Sequence, residues 1–278
     1  MNYRKLFRTM LTAFALLLLM GCQSSLFEKK VRNDVYLEGR NMGGLKKSEV
    51  LQRIKERSTK LYIRPIDAQV NRNNWEISYE HTGKKINEGK TLEMLMNSGK
   101  GNNIELAVEE VRPKVSHEQL QKNIQVIGSS TTPLLDARDS RLNNIDIASR
   151  KINNFKLAPG EEFSFNNTVG KRTKQKGYEE APIIMKTPDG YKKKNAIGGG
   201  ICQISTTLYN AVEKAGLEVT ERHLHSKAIG YVPKGQDATV SYGSVDFKFR
   251  NNRSYPVMIK VTMGGDELTV AILENRNK

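Results

Sequence analysis

A chain of 278 residues with 37% hydrophobic residues can bury a core of its own, as one large domain or two small ones. Its formal charge of +15 favours polyanionic surroundings. For a chain outside the cytoplasm the available polyanions are anionic lipid headgroups and cell-wall polymers, which sets nucleic acid aside as a partner, while simple solubility remains an equal use of the charge.

The first 21 residues read as a leader. Arg4, Lys5 and Arg8 precede an apolar run from Met10 to Met20, too short to span a bilayer comfortably, and the segment closes on Gly21-Cys22. Leu19-Met20-Gly21-Cys22 resembles a bacterial lipobox, although Met20 is larger than the usual residue, and an uncleaved membrane helix is the alternative. The mature protein is then expected to begin at a lipidated Cys22 and to be held through that lipid on the extracytoplasmic face of the cell membrane. Residues 22–33 form a polar tether. Removing Arg4, Lys5 and Arg8 with the leader takes the charge from +15 to +12. The chain has 2 Cys, so a lipid on Cys22 leaves Cys202 without a partner within the molecule. Such a thiol is reactive, forms an intermolecular disulfide, or is buried and inert.

The remainder is expected to be α+β: a small α/β domain over 34–115, a linker over 116–130, and a β-rich domain over 131–278 built around a cysteine-bearing helix. In the first, Val35 to Gly39 reads as a strand and turn, Lys46 to Arg57 as a helix, and Asn87 to Asn97 as another. Leu61 to Arg64, Trp75 to Tyr79 and Ile104 to Val108 alternate like half-buried strands. In the second, Ile145, Ala148, Ile152 and Phe155 give helical spacing to residues 143–155, which Leu157-Ala158-Pro159-Gly160 ends. Between Lys171 and Lys194, eight basic residues against three acids make a surface suited to an acidic ligand, or else a solvated loop. Near the C-terminus, Val257, Ile259 and Val261 alternate up to the turn Gly264-Gly265-Asp266, and Leu268, Val270 and Ile272 alternate back as a hairpin.

The run Gly198-Gly199-Gly200-Ile201-Cys202-Gln203 carries the chemistry. Three glycines permit close backbone approach, and residues 203–215 have helical spacing ended by Gly216, with Ile204, Leu208 and Val212 as the buried stripe. Cys202 is thereby placed at a helix N-terminus, where the dipole and free amides favour a thiolate and could cradle an oxyanion. A base could come from His223 or His225, two residues apart on an expected strand and so on one face of it, and an orienting acid from Asp237 or Asp246. A Cys/His/His metal site and an inert packed cysteine remain open beside this reading.

Thr132-Pro133-Leu134, the stretch from Leu157 to Asn166, the stretch from Gly198 to Asn210, Arg222-His223-Leu224-His225-Ser226, and the stretch from Tyr231 to Val240 together resemble the VanW domain family over about residues 130–275. The unit before it looks like a peptidoglycan-binding domain of the kind that often precedes VanW. The resemblance implies a cell-wall enzyme of the L,D-transpeptidase type, with Cys202 as nucleophile on peptidoglycan stem peptides, forming 3-3 crosslinks, or a non-catalytic wall-binding scaffold. It implies no cofactor and no metal. The expected catalytic set is Cys202, His223, His225 and Asp237; the expected substrate contacts are Gly199, Gly200, Gln203, Ser205, Tyr231, Lys171 and Arg172.

Overall fold

The computed structural model describes residues 28–187 and 190–277; the leader, Cys22 and the start of the tether lie outside the described residues. The fold is α+β. The chain divides into two compact units, one of residues 28–68 with 79–116, the other of residues 69–78 with 117 onward.

In the first unit, strands β1 (Tyr36–Leu37), β2 (Arg40–Asn41) and β4 (Asn103–Ile104) form a small sheet in the order β2-β1-β4, and β3 (Gly83–Ile86) pairs with β5 (Val108–Val111). Helix α1 (Lys47–Leu61) begins where the Glu49 carboxylate accepts the Lys46 amide at 2.7 Å, and it buries Val50 and Ile54 fully. Helix α2 (Glu88–Asn97) is capped by Asn87, whose side chain accepts the Lys90 amide at 2.9 Å, and it turns Thr91, Leu92, Leu95 and Met96 inward. Three expected strands are absent as such, and one of them, Ile104 to Val108, is divided between the end of β4 and the start of β5, which lie in different sheets. Leu61, Tyr62 and Ile63 are exposed and make only the Ile63–Lys84 bridge. The Trp75 stretch is interrupted because Trp75 sits at φ 57°, in the left-handed region, where a β-branched or aromatic residue cannot continue a strand.

The second unit is built on a four-stranded antiparallel sheet, β6-β14-β13-β7, from β6 (Ile124–Pro133), β7 (Lys156–Leu157), β13 (Val257–Gly264) and β14 (Glu267–Asn275). The β13–β14 hairpin turns where the alternation said it would, pairing Gly264 with Glu267 and burying Val257, Ile259, Leu268, Val270 and Ile272 completely. Residues 117–130, expected as a connection, instead form helix α3 (His117–Gln121) and most of β6. The inward positions of β6 include Gly128, Ser130 and Thr132, too small and polar to give the strand an apolar signature. They are small because a helix rests on them.

That helix is α6 (Ile201–Lys214), which packs on β6 and β14 with α4 (Asp139–Ile152) beside it. A Cβ at Gly128 would stand 2.3 Å from the Ala211 carbonyl oxygen and 2.5 Å from the Ala215 nitrogen, so strand and helix meet backbone to backbone. A second sheet, β11-β12-β8, joins β11 (Glu218–Glu221), β12 (Lys248–Arg250) and β8 (Glu162–Ser164). Its inner face stacks Phe163 on Phe249 and Phe249 on Phe247, with ring centres 5.1 and 5.9 Å apart. Helix α5 (Phe165–Val169) follows β8. Much of the basic stretch, read as an acidic-ligand surface or else a solvated loop, lies in a long hairpin, β9 (Glu180–Thr187) with β10 (Gly190–Ile197).

Trp75, the one tryptophan in the chain, is buried and lies in the segment 69–78 that belongs to the second unit, where the Lys156 ammonium binds the Arg72 carbonyl at 2.6 Å. Its emission therefore reports on that unit. Gly128→Ala is expected to lower the unit's stability by about 2–3 kcal/mol through overpacking, read as an earlier urea midpoint of Trp75 fluorescence.

Candidate active site

The glycines before α6 have separate tasks. Gly199 lies against the Ala181 backbone, whose carbonyl oxygen would be 2.6 Å from an added Cβ, and the Asn144 amide fixes its carbonyl at 3.0 Å. Gly200 starts the helix at φ 110°, open to glycine and strained for any other residue. Ile201 then turns inward, Ile204, Leu208 and Val212 form the fully buried stripe, and Cys202 is left half-buried at the second helical position. Among the described residues, the Gly200 and Cys202 amides have no backbone acceptor, so they remain free beside the thiol at the positive end of the helix dipole.

Polar side chains on the buried face of α6 hold the surrounding segments. Gln203, 1% exposed, donates to the Thr132 hydroxyl and the Pro133 carbonyl at 3.1 and 2.8 Å and accepts from Arg141 at 2.8 Å. Ser205 and Thr206 donate to the Ala238 carbonyl at 2.6 and 3.2 Å, and Thr206 accepts the Ala238 amide at 3.1 Å. Gln203 and Ser205 are therefore braces, fully engaged within the fold, and neither is placed to touch a substrate, contrary to the expectation from the sequence. From the other side, Arg222 stacks 3.9 Å above the Tyr209 ring and donates to the Asp237 carbonyl at 2.9 Å and to the Gly235 carbonyl.

These clamps set Asp237, which is 6% exposed, against His225. The Asp237 carboxylate accepts the His225 amide at 2.6 Å and faces its Nδ1 at 2.7 Å. With Nδ1 held there, Nε2 is the nitrogen left to face the Cys202 thiol, with which the imidazole is electrostatically coupled. The sulfur is also 3.4 Å from the Thr239 hydroxyl and 3.5 Å from the Val240 carbonyl. Burial alone would raise the Cys202 pKa, but the hydrogen bond and charge of His225, then Thr239 and Val240, hold it below the ordinary thiol value. Burial alone would lower that of His225, yet Cys202 and Asp237 together push it upward. Each partner thus stabilises the charged form of the other, and the arrangement can sustain a thiolate and imidazolium together.

The other candidates are dispersed. Strand β11 ends at Glu221, before either histidine, so the shared strand face does not exist. His223 binds the Glu221 carboxylate at 3.0 Å, and that carboxyl, held down to about 2 chiefly by Lys248 at 2.8 Å, belongs to a network separate from the thiol. Asp246 accepts the Ser164 hydroxyl and the Asn166 and Phe247 amides at 2.6, 2.8 and 2.8 Å, so it braces α5 rather than orienting a base. Cys202, His223 and His225 do not converge, and among the described residues no group of three or more His, Cys, Asp or Glu could hold a metal ion. Tyr231 is half-buried near the site, hydrogen-bonded to Thr206, with its pKa raised by burial and then by the Cys202 charge. Arg172, half-buried, donates to the Asn166 side chain at 2.8 Å and lies 5.7 Å from the Phe165 ring centre; Lys171 is exposed. Thr239 was missed, and only its place two residues after Asp237 could have pointed to it.

Residues 140–273 match the family model described as VanW like protein. The chain is 37% identical over 223 residues to an uncharacterized protein of Bacillus subtilis, YoaR, an alignment that covers 79% of this chain and 72% of that one. It is 29% identical over 136 residues to the vancomycin B-type resistance protein VanW of Enterococcus faecalis, covering 47% of this chain and 48% of that one. No solved structure matches significantly.

In a Cys22→Ser background, where Cys202 is the sole thiol, alkylation by iodoacetamide is expected to begin at a pH below the usual thiol range of about 8.5. His225→Ala removes what opposes burial, so the onset moves to or above that range. The rate at pH 7 then falls roughly 10- to 100-fold, because the thiolate fraction there drops tenfold for each pH unit by which the onset rises. Asp237→Asn is expected to move the onset the same way by a smaller amount.

Proposed function

Because the chain belongs to the VanW family, we propose that it acts on the cell wall, as a cysteine acyltransferase of the L,D-transpeptidase type anchored by a lipid on Cys22 to the extracytoplasmic face of the membrane. The single observation that carries the catalytic part is the line from Asp237 through His225 to Cys202. A relative that carries vancomycin resistance in its name supports the cell-wall setting.

In this reaction the Cys202 thiolate attacks a stem-peptide carbonyl, and the oxygen takes up negative charge beside the free Gly200 and Cys202 amides. The imidazolium of His225 gives its proton to the departing nitrogen, so the terminal D-alanine leaves as a neutral amine and a thioester remains. A side-chain amine of a neighbouring stem then attacks the thioester and loses a proton to His225, and the thiolate is released as the new amide forms. Asp237 keeps the imidazole in the tautomer that both steps need. The energy comes from the peptide bond already present. The first unit is proposed to bind peptidoglycan and supply the acyltransferase with its polymer.

A non-catalytic wall-binding protein is the competing reading, and the chain's +15 charge fits it. That reading gives the glycine-led helix start and the buried acid behind His225 no task.

Incubation of the Cys22→Ser protein with a tetrapeptide stem is expected to add the mass of the stem minus D-alanine to the intact chain, and Cys202→Ala to abolish that increment. In cells, Cys202→Ala should lower 3-3 crosslinks in the muropeptide profile. An unchanged crosslink content in a strain that depends on this protein, with no thioester in vitro, would leave the binding reading standing.

A further inference from the structure

The glycine triplet is bracketed by two arginines. The Cβ and Cγ of Arg172 lie 3.2 Å from where a Gly198 side chain would begin, and the Cγ and carbonyl of Arg141 lie 3.2 and 3.3 Å from the same position at Gly200. Arg172 comes from the segment after α5 and Arg141 from the first turn of α4, so two unrelated parts of the chain pack an arginine stem against one loop.

Both guanidiniums are held and both are incompletely used. Arg172 gives one terminal nitrogen to Asn166 and rests over Phe165, while its other terminal nitrogen, Nη2, is buried without a hydrogen-bond partner. Arg141 gives Nη2 to Gln203, while its Nε is likewise buried and unpartnered. Among the described residues, neither arginine forms an ion pair with an acid. Arg172 and Arg141 pack against the glycines that lead into Cys202, Arg141 also holds the next residue, Gln203, and Arg172 feels the Cys202 charge. A buried donor without an acceptor is destabilising, and two of them beside one nucleophile are a cost that a ligand's acceptors would offset.

We propose that Arg141 and Arg172 receive a carboxylate of the acyl-donor peptide, making Cys202 selective for anionic substrates. A planar fork matched to a carboxylate is what guanidinium offers and ammonium does not. Both residues are half-buried, but the unpartnered Nη2 and Nε are themselves covered, so a carboxylate reaches them as the side chains shift on binding. The peptide assignment rests on the acyltransferase reading; the charge selectivity of the thiol does not. The carboxylate could be the C-terminal one on the departing residue or one on a side chain.

Two small probes separate charge from chemistry. Iodoacetate and iodoacetamide both transfer a carbon to the thiolate with loss of iodide, and only the first is anionic. Relative to a free cysteine peptide, Cys202 in the Cys22→Ser protein is expected to favour iodoacetate. Arg172→Gln and Arg141→Gln should each cut that ratio of iodoacetate to iodoacetamide rates, in which the thiolate fraction cancels, roughly tenfold at low salt, and Arg172→Lys should restore part of it. A preference no greater than that of the free peptide, or one unchanged in both glutamine variants, overturns the proposal. If Arg172→Gln loses the native Trp75 emission, the wild-type ratio and Arg141→Gln decide. Thioester formation is then compared between a tetrapeptide free acid, its C-terminal amide and its side-chain amide. Slower reaction of one amide names the carboxylate that is read, and equal rates for all three overturn the peptide assignment. No thioester with any peptide, alongside intact charge selectivity, defeats the acyltransferase reading and leaves the anion site standing.

Discussion

The contact on which the site depends is the one between the second turn of α6 and the backbone of Ala238. Ser205 and Thr206 hold both the amide and the carbonyl of that residue, leaving no freedom to slide the segment along the helix. Asp237 precedes it and Thr239 follows it, so one anchored peptide unit sets the acid that orients His225 and the hydroxyl that touches the sulfur. The hydroxyls are fully buried, where each unmade hydrogen bond is costly, and this makes the register sharp. The helix therefore supplies the nucleophile from its first turn and the scaffold for the base from its second.

Electrostatics at the site run against the local cost of burial. A buried thiol and a buried imidazole each favour the neutral form in isolation, and only their proximity reverses both tendencies. The same balance recurs at the C-terminal end of β14, an inner strand of the main sheet, where Glu274, 1% exposed in its side chain, is kept charged by Arg253 and Arg276. There burial would raise the carboxyl and the two guanidiniums pull it down. Its contribution to stability is present above the ordinary glutamate range and is lost as acid protonates it.

Much of this was legible in the residues. The Cys202 helix, its buried stripe, the use of the glycines and the C-terminal hairpin all follow from patterns within about a dozen residues, which is the range over which periodicity speaks. His225 and Asp237 were among the named candidates, but nothing local could separate them from His223 and Asp246. That choice is made by where β11 stops and by Arg222 and Thr206 reaching across the fold. Strand β6 was hidden for the opposite reason: its inward face was emptied of apolar side chains to admit α6, so the closest packing in the unit left the weakest hydrophobic signal. Gln203 and Ser205 looked like ligand contacts because polar residues beside a nucleophile usually are. Here they are polar because they must satisfy backbone groups that a helix in a core would otherwise leave bare.

The short excursion around Trp75 changes how the chain can be assembled. Residues 69–78 belong to the second unit although both their neighbours belong to the first, so the polypeptide passes between the units three times. The carbonyl of Arg72 waits for Lys156, more than eighty residues later, before its contact exists. A chain emerging N-terminus first must therefore keep this segment, closed on itself by the Val70–Ile77 bridge as a hairpin, unsatisfied until α4 and β7 have followed, a high-contact-order step that slows folding and lengthens the time apolar surface is exposed. Dissection meets the same obstacle: a fragment starting at residue 117 keeps the catalytic line yet discards the hairpin and the tryptophan, and no single cut frees either unit whole.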